Sequence, residues 1–285
     1  MSHRLPRFLR YSLVATLPAL GLLIGGLSSP AGASTQPSAQ AQAMALAKSA
    51  IRQLTIGQPT NHRVGSSRHE ISGLTNVQST NWSGYADTGS SFSKVTGSWT
   101  EPSASCSGRT TSLAAFWVGI DGFTSDSVEQ DGTLIECSRG TAFQFSWWEM
   151  YPTNAIQVVG ESVAAGDHIS TSVVRSGSSY TLAVTDSTHP ANSFTTTQSC
   201  SSCANTSAEW IAEAPSSSGG VEPLSHFSTW TDSSSTVTEG STSGVISSFT
   251  DDEITMIDNS GAVKAQPSAL NSSGNGFSVT WERAT

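Results

Sequence analysis

Residues 142–151 read AFQFSWWEMY, a stretch in which bulky side chains alternate with smaller or polar ones. Successive side chains of a β-strand point to opposite faces of a sheet, so Phe145, Trp147, Glu149 and Tyr151 share one face. The stretch therefore predicts a strand that sets one carboxyl group among aromatic rings.

Runs of β-branched and aromatic residues recur from Asn81 onward, separated by clusters of Gly, Ser, Asn and Asp. They include KVTGSWT (94–100), LAAFWVGI (113–120), AIQVVG (155–160), HISTSVVR (168–175), SYTLAVTD (179–186), AEWIAEA (208–214), SGVISSFT (243–250), ITMID (254–258) and GFSVTWE (276–282). About ten or more short strands without a helical period predict an all-β domain over 81–285, either an antiparallel sandwich or a barrel.

The N-terminus has the order of a secretory signal peptide. Arginines at 4, 7 and 10 precede the apolar run LVATLPALGLLIGGL, and small residues end at Ala33. This predicts a signal peptide over 1–33, export of the protein and no membrane anchor in its mature form.

Residues 34–80 differ in composition from the body that follows. Within AQAQAMALAKSAIRQL (39–54), the residues Met44, Ala47, Ile51 and Leu54 form a helical stripe, and the polar stretch after it indicates a linker. The segment is either a disordered extension or a propeptide. We favour a propeptide that docks on the body through basic side chains, namely Lys48, Arg52, Arg63 and Arg68.

Charge is divided unevenly along the chain. Residues 1–80 carry seven Lys and Arg and one acid, whereas 81–285 carry six Lys and Arg and 21 acids. An acidic body without clustered cations excludes nucleic acid as a partner. The split also suggests that low pH, by protonating the carboxylates, releases a basic propeptide.

Four cysteines lie in the acidic body, and export makes disulfides the expected state. Four cysteines allow three pairings. We favour Cys106–Cys137 and Cys200–Cys203, because CSSC between loop-like TTTQS and ANTS resembles a small clip. A metal site is the alternative, but CSSC has no second Cys or His pair at zinc-finger spacing.

Three strands share a pattern of polar, aromatic and Gly residues on one face. In FWVGID that face holds Trp117, Gly119 and Asp121, and in AEWIAEAP it holds Glu209 and Glu213. A single Glu on a strand is usually a solvated residue. Three strands with the same pattern favour a substrate groove on a sheet face.

The order of five motifs is specific. NWSGYA (81–86), FWVGIDG (116–122), VEQDG (128–132), WWEMYP (147–152) and AEWIAEAP (208–215) together resemble the glutamic peptidases, or eqolisins. The resemblance implies a concanavalin-like or jelly-roll sandwich of two curved antiparallel sheets with a concave substrate groove. It also implies a secreted zymogen that acts on proteins or peptides as a monomer, without a cofactor or metal.

The resemblance also implies the site residues. Gln130 and Glu213 match the catalytic pair, with Glu209 as the fallback for the glutamate. Trp117, Asp121, Trp147 and Glu149 match supporting positions around the groove. Asp131 follows the glutamine where the family often has Thr, which leaves the pH optimum open.

These residue types suit hydrolysis of a peptide bond by water. A glutamine amide donates N–H at any pH and can hold the developing oxyanion. Glu213, with an ordinary pKa near about 4.3, would act as the base toward water and then as the acid toward the leaving amine. Activity is therefore expected at acidic pH, without sensitivity to pepstatin.

Other functions fit less well. A sugar-binding or glycoside-hydrolysing sandwich is the first alternative, but Glu129 and Glu136 are seven residues apart and fall on opposite faces of a regular strand. A binding module would need neither Gln130 nor Glu213. A serine hydrolase lacks its G-x-S-x-G motif here.

The tetrapeptide Asp-Thr-Gly-Ser at 87–90 resembles the catalytic loop of an aspartic peptidase. Such an enzyme needs two of these loops, and the chain has no second Asp-Thr-Gly or Asp-Ser-Gly. We expect Asp87, Thr88 and Gly89 to form a hairpin turn, with Gly89 at positive φ.

Overall fold

Most of the regular structure in the described part of the chain is β-strand. The computed structural model describes residues 37–57, 63–64, 75–160 and 162–285, so the predicted signal peptide lies outside the described residues. One α-helix, α1, spans Ala39–Ile51. The strands are β1 Arg63–Val64, β2 Thr75–Ser79, β3 Trp82–Thr88, β4 Phe92–Thr100, β5 Ser112–Ile120, β6 Val128–Ser138, β7 Thr141–Tyr151, β8 Asn154–Val159, β9 His168–Ser176, β10 Ser179–Asp186, β11 Phe194–Ser199, β12 Ser207–Glu213, β13 Ser216–Ser217, β14 Gly220–Val221, β15 Trp230–Glu239, β16 Thr242–Gly244, β17 Thr250–Ile257, β18 Val263–Pro267 and β19 Phe277–Trp281. Short 3₁₀ turns occur at Pro190–Asn192 and Ile246–Ser248.

Most of the strands form two sheets, and β13 and β14 pair with each other as a separate hairpin. Sheet 1 has the order β2, β17, β3, β12, β5, β6, β7, β8, and every pair in it is antiparallel except β2 with β17. Sheet 2 has the order β11, β10, β9, β4, β15, β16 and is antiparallel throughout. The predicted all-β sandwich is confirmed.

Strand β15 belongs to both sheets. Its first three residues, 230–232, pair with β19, which connects through β18 to β17 of sheet 1. From Ser233 onward it pairs with β4 of sheet 2, with a register shift between Ser233 and Thr236. The shift redirects the strand from one sheet to the other.

Apolar side chains of the two sheets meet in the interior of the sandwich. Sheet 1 contributes Phe116, Val118 and Trp210, and sheet 2 contributes Val173 and Leu182, all of them fully buried. Phe116, Val118 and Ile120 are the residues of FWVGID that alternation assigned to the core. That prediction is confirmed.

The opposite face of sheet 1, which we call the outer face, carries a second apolar cluster. It includes Trp82, Trp117, Phe145 and Trp147, all with no exposed surface. Helix α1 and the residues after it cover this face, because Ala47, Ile51, Leu54 and Ile56 belong to the same cluster.

Helix α1 agrees with the predicted stripe. The Ser38 hydroxyl caps it by accepting a hydrogen bond from the Ala41 amide at 3.1 Å. Ala47, Ile51 and Leu54 are buried and Met44 is half-buried, while Leu46 on the opposite side is 71% exposed. The part of the predicted linker at 75–79 is strand β2, hydrogen-bonded to β17.

Two local predictions of strand and loop were wrong. TTTQS is not a loop but most of β11, an edge strand whose side chains alternate between half-buried and exposed. SGVISSFT is not one strand, because a 3₁₀ turn at Ile246–Ser248 separates β16 from β17. Both errors arise where Ser and Thr dominate, because small polar residues show no clear alternation of apolar and polar positions.

The turn after NWSGYA also differs from the prediction. Asp87 and Thr88 belong to β3, and Asp87 is fully buried opposite Asp251 of β17. The positive φ is at Ser91, 62°, and not at Gly89. A side chain at Gly89 would collide with the Glu239 carboxylate, whose Oε1 accepts the Ser90 N–H at 2.7 Å. The absence of a side chain at Gly89 therefore lets the backbone approach the Glu239 carboxylate closely.

Both favoured disulfides are present. Cys106–Cys137 ties the segment before β5 to the end of β6, and Cys200–Cys203 closes a clip directly after β11. Their Cα separations, 5.3 and 5.7 Å, are ordinary for disulfides.

Candidate active site

The outer face of sheet 1 collects the polar residues that the sequence singled out. Gly119 of β5 pairs with Gln130 of β6, and Gln130 pairs with Glu149 of β7. On the other side of Gly119, β12 contributes Glu209 in the same row. The registers of β5, β6 and β7 contain no bulge here, so alternation holds and Glu129 and Glu136 lie on opposite faces as predicted.

Gln130 is fully buried, and its amide is directed by Glu149. Its Nε2 donates to Glu149 Oε2 at 3.1 Å and to the Ile56 carbonyl oxygen at 2.8 Å. Two acceptors on the same side of the amide fix the orientation of the NH₂ group. Glu149 therefore orients the Gln130 NH₂ group toward a carbonyl oxygen in the groove.

Glu213, at the end of β12, is held by three donors. Its Oε2 accepts from Trp117 Nε1 at 3.0 Å and from the Gly57 N–H at 2.9 Å. Its Oε1 accepts from Asn81 Nδ2 at 3.2 Å. Trp117 therefore contacts Glu213, and its supporting role stays a prediction.

The pKa values of both glutamates are raised, chiefly by burial. Burial raises the pKa of Glu213 well above its ordinary value, against the hydrogen bonds from Gly57 and Trp117, which lower it. Burial also raises the pKa of Glu149 to about 8, while its hydrogen bonds from Ile56 and Gln130 act in the opposite direction. At acidic pH Glu149 is therefore an uncharged carboxylic acid beside Glu213.

The remaining predicted residues make other contacts. Trp147 packs in the apolar cluster of the outer face. Glu209 accepts the Phe123 N–H at 3.3 Å, and burial raises its pKa well above the ordinary value. Asp121, at φ 70°, accepts from the Asn205 and Thr206 amides at 2.7 and 2.8 Å. Asp121 therefore fastens the loop before β12, and groove roles for it and for Glu209 stay predictions.

Asp131, the departure from the family pattern, faces away from the groove. It is fully buried on the face opposite Gln130, where its carboxylate accepts from the Thr171 hydroxyl of sheet 2. Burial raises its pKa well above the ordinary value. The residue joins the two sheets and does not contact the glutamine's amide.

Asn81 is a functional candidate that the sequence reasoning did not single out. It precedes β3 in the motif NWSGYA, and Ser79 donates to its side-chain oxygen at 3.0 Å. That bond turns the amide nitrogen toward Glu213. The position of Asn at the start of a conspicuous motif was the available signal.

A stretch of the N-terminal segment occupies the groove. Thr55 exchanges two backbone hydrogen bonds with Ser216, at 2.8 and 3.0 Å, in antiparallel pairing. Ile56 and Gly57 follow directly and are both buried. The sequence predicted this stretch as linker, because Gly and Pro punctuate it.

The basic residues of the segment do not all act as expected. Lys48 donates to the Gly160 carbonyl oxygen at 2.8 Å and lies 5.5 Å from the centre of the Phe145 ring, so it binds a carbonyl and an aromatic face and not a carboxylate. Arg52 is exposed and forms no ion pair with the described residues. The Arg63 side chain and Arg68 lie outside what the structure describes.

Comparison with known proteins agrees with this fold. Residues 80–281 match the model of the peptidase A4 family. The chain is 28% identical to aspergillopepsin-2 of Aspergillus niger over 235 residues, which cover 74% of this chain and 81% of the relative. It is 30% identical to scytalidopepsin B of Scytalidium lignicola over 212 residues, which cover 72% and 73%.

Solved structures show the same architecture. Scytalido-glutamic peptidase with a transition state analog inhibitor superimposes with a TM-score of 0.60 at 24% identity, over 71% of this chain and 98% of that one. Aspergilloglutamic peptidase from Aspergillus niger gives a TM-score of 0.53 at 26% identity, over 60% and 99%. The fold and the relatives identify the class of protein as glutamic-type endopeptidases built on a β-sandwich. The chain belongs to the peptidase A4 family, as the motifs predicted.

In the part of the chain that the structure describes, α1 is too short to cross a bilayer, and no helix is both long and apolar enough to do so.

Proposed function

We propose that the protein is a secreted, monomeric acid endopeptidase in which Gln130 and Glu213 act together on a peptide bond. One observation carries this proposal. Gln130 Nε2 donates to the carbonyl oxygen of Ile56, and Glu213 Oε2 accepts the N–H of Gly57. The Ile56 C=O and the Gly57 N–H belong to the same peptide unit, so Gln130 and Glu213 bind the two sides of one peptide bond.

Gln130 would act on the carbonyl. Its N–H polarises the C=O and stabilises the negative charge that develops on the oxygen when water attacks. Glu149 keeps that N–H directed into the groove. Because an amide does not titrate, this function would persist in acid.

Glu213 would act as the general base and then as the general acid. While ionised it takes a proton from the attacking water, and it then returns that proton to the departing amine. Its contact with the Gly57 N–H marks the location where a leaving amine is protonated. Departure of the segment would let water in, which lowers the pKa of Glu213 toward the ordinary acidic value.

The dyad is tested by three variants on a denatured protein substrate at about pH 4. We expect Gln130→Ala and Glu213→Gln each to reduce kcat by at least about 100-fold, because each loses a group used in the transition state. Glu136→Gln is the matched control, since Glu136 is a buried glutamate on the same face of β6 as Gln130.

Pepstatin should leave the wild-type rate unchanged, because the site has no pair of catalytic aspartates. Near-normal activity in Gln130→Ala or Glu213→Gln, or strong inhibition by pepstatin, would refute the assignment.

A further inference from the structure

An open cavity lies beside the groove, where β12 and β17 end and β3 begins. Its volume is about 550 Å³. The β13–β14 hairpin contributes Ser216 and Val221 to its lining, and Ile257 of β17 and Thr80 before β3 also line it. None of the proposed catalytic residues belongs to this lining, so the cavity is a separate site next to the dyad.

Lys264 lines this cavity from strand β18. The pairing of β17 with β18 shifts register at this position, which makes Lys264 the extra residue of a β-bulge. A bulge changes the direction of the side chain that it carries. The carbonyl oxygen of Lys264 accepts the amides of Glu282 and Arg283 at 2.8 and 3.2 Å, so the backbone at the bulge is fixed.

The ammonium group of Lys264 is buried without a partner. The residue is 4% exposed, and its Nζ forms no hydrogen bond or ion pair with the residues that the structure describes. Burial lowers its pKa to about 8, so the group is still charged at acidic pH. A buried charge without a partner is costly, and an anion that entered the cavity would offset this cost.

Two carboxyl groups line the same cavity, but each has other surroundings. Asp258 raises the pKa of Lys264, yet its Oδ1 accepts three hydrogen bonds within the turn 258–262, and its Oδ2 lies 3.8 Å from Arg283. Glu222 lies just beyond β14 and also lines a second cavity, beside the end of α1. Lys264 is therefore left as a cation available to a ligand.

The groove directs a peptide side chain toward this cavity. Thr55 is paired with Ser216 in antiparallel fashion, and Ser216 is paired with Val221. Residues directly opposite one another in antiparallel strands have their side chains on the same face. Thr55 thus shares the face of two residues that line the cavity, although it is not part of the lining itself. A longer side chain at its position would extend into the cavity.

We propose that this cavity is a substrate subsite for an acidic side chain two residues before the cleaved bond, with Lys264 as its cation. The inference rests on the proposed function of Gln130 and Glu213. A substrate that this pair binds as it binds Ile56–Gly57 has its second residue before the bond at the position of Thr55. A glutamate there would give the buried ammonium a charge-assisted hydrogen bond.

The third position before the bond should behave differently. Leu54 occupies it on the segment and lines the second cavity, together with Glu136 and Glu222. Within the described residues, that lining has two carboxyl groups and no Lys, Arg or His. An acidic side chain at the third position would therefore find no cation.

The experiment compares synthetic peptides as substrates of the full-length protein at about pH 5, where glutamate is mostly ionised. The peptides share an apolar residue before the cleaved bond, and mass spectrometry confirms that bond. They carry glutamate or glutamine at the second position, or glutamate at the third. We expect glutamate at the second position to raise kcat/KM about tenfold over glutamine, and glutamate at the third to give no gain. The ratio between two peptides does not depend on how much of the protein has an open groove.

Lys264→Met removes the charge and keeps a long apolar stem. We expect it to reduce the tenfold preference for glutamate to about onefold. Lys94→Met is the matched control, because Lys94 is exposed on β4 of sheet 2, and it should keep the preference. If Lys264→Met does not fold, the wild-type comparison of the second and third positions decides.

The outcomes separate the two proposals. Equal kcat/KM for the glutamate and glutamine peptides in the wild type overturns the subsite and leaves the peptidase function intact. A preference that persists in folded Lys264→Met also overturns it, and so does an equal gain from glutamate at the third position. Failure to hydrolyse any peptide or a denatured protein refutes the peptidase function and the subsite with it.

Discussion

At the scale of single residues, the two glutamates of the groove have different tasks. Glu213 contacts the nitrogen of the bound peptide unit, whereas Glu149 contacts the amide of Gln130 and also accepts the Ile56 N–H. We propose that Glu149 positions the Gln130 amide. With the segment in the groove, burial raises the pKa of Glu149 to about 8, so its carboxyl group is uncharged in acid.

The uncharged state of Glu149 gives a prediction about its substitution. A glutamine side chain has nearly the shape of a protonated glutamate and can still accept from Gln130. We expect Glu149→Gln to keep kcat at about pH 4 within about fivefold of wild type, and Glu149→Ala to lose about 10- to 100-fold.

The pH profile distinguishes positioning from a purely structural role. In the wild type, ionisation of Glu149 places a second negative charge beside Glu213 as pH rises toward about 8. Glu149→Gln removes that charge and should extend activity to higher pH. An unchanged profile in a folded Glu149→Gln variant would contradict this role.

At the scale of elements, helix α1 holds the segment that fills the groove. Ile51 is fully buried in the cluster of the outer face, while Leu46 is 71% exposed. Deleting a buried isoleucine side chain costs about 2–5 kcal/mol, and most of that loss would fall on docking of the segment.

This docking can be measured with Ile51→Ala and its control Leu46→Ala. We expect Ile51→Ala to raise the initial rate of the full-length protein on an added peptide by at least about tenfold, because the groove opens more often. Leu46→Ala should change the rate by less than about twofold. Equal effects of the two changes would show that the buried face of α1 does not control access.

The strands with aromatic and β-branched residues were predictable from the sequence, and so was the face on which the site lies. In FWVGID and AEWIAEAP the period of two assigns Trp117 and Glu213 to the outer face. Strands β11 and β15 were not predictable in the same way, because runs such as TTTQS and TDSSST lack apolar alternation. Hydrogen bonding to the neighbouring strands, β10 for β11 and β4 for β15, makes these segments strands.

The entry of Ile56 and Gly57 into the groove was beyond sequence reasoning. Gly and Pro near this position indicate a break in regular structure, and local pattern contains no information on a contact with Gln130, 74 residues further along. Position 57 requires glycine, because its φ is 85° and an added Cβ would collide with the Gln130 side chain. Only tertiary structure supplies both.

At the scale of the whole molecule, many buried carboxyl groups hold their protons. Burial raises the pKa of Glu101 to about 7, of Asp232 to about 8, and of Asp87 and Glu129 to about 9. In the unfolded chain the same groups titrate near about 4. Each contributes stability that is fully present below about pH 4 and is lost as pH rises through its folded pKa.

The expected consequence is a stability maximum in acid. Thermal unfolding followed from pH 3 to pH 9 should give the highest Tm near about pH 3–4 and a steady fall toward neutral pH. Each buried group that stays protonated contributes up to about 1.4 kcal/mol per pH unit to that fall. A Tm that rises between pH 4 and pH 8 would contradict this account.

Asp87 offers a direct test, because burial and then the charge of Asp251, its register partner on β17, raise its pKa to about 9. Asp87→Asn removes the titrating carboxyl group and keeps nearly the same side-chain shape. We expect it to raise the free energy of unfolding at about pH 8 by about 1–3 kcal/mol and to leave it nearly unchanged at about pH 4. The exposed Asp126→Asn is the control, and an equal gain from it would show a general charge effect.

Strand β15, shared by both sheets, has a mechanical consequence. A sandwich held only by side-chain packing can separate along its interior, one layer from the other. Here β15 is hydrogen-bonded to β19 at its start and to β4 further along, so separation would have to break one of these two sets of backbone hydrogen bonds. The two layers should therefore resist shear together and melt in one calorimetric transition. Such a framework suits a peptidase that has to keep its groove in shape during turnover.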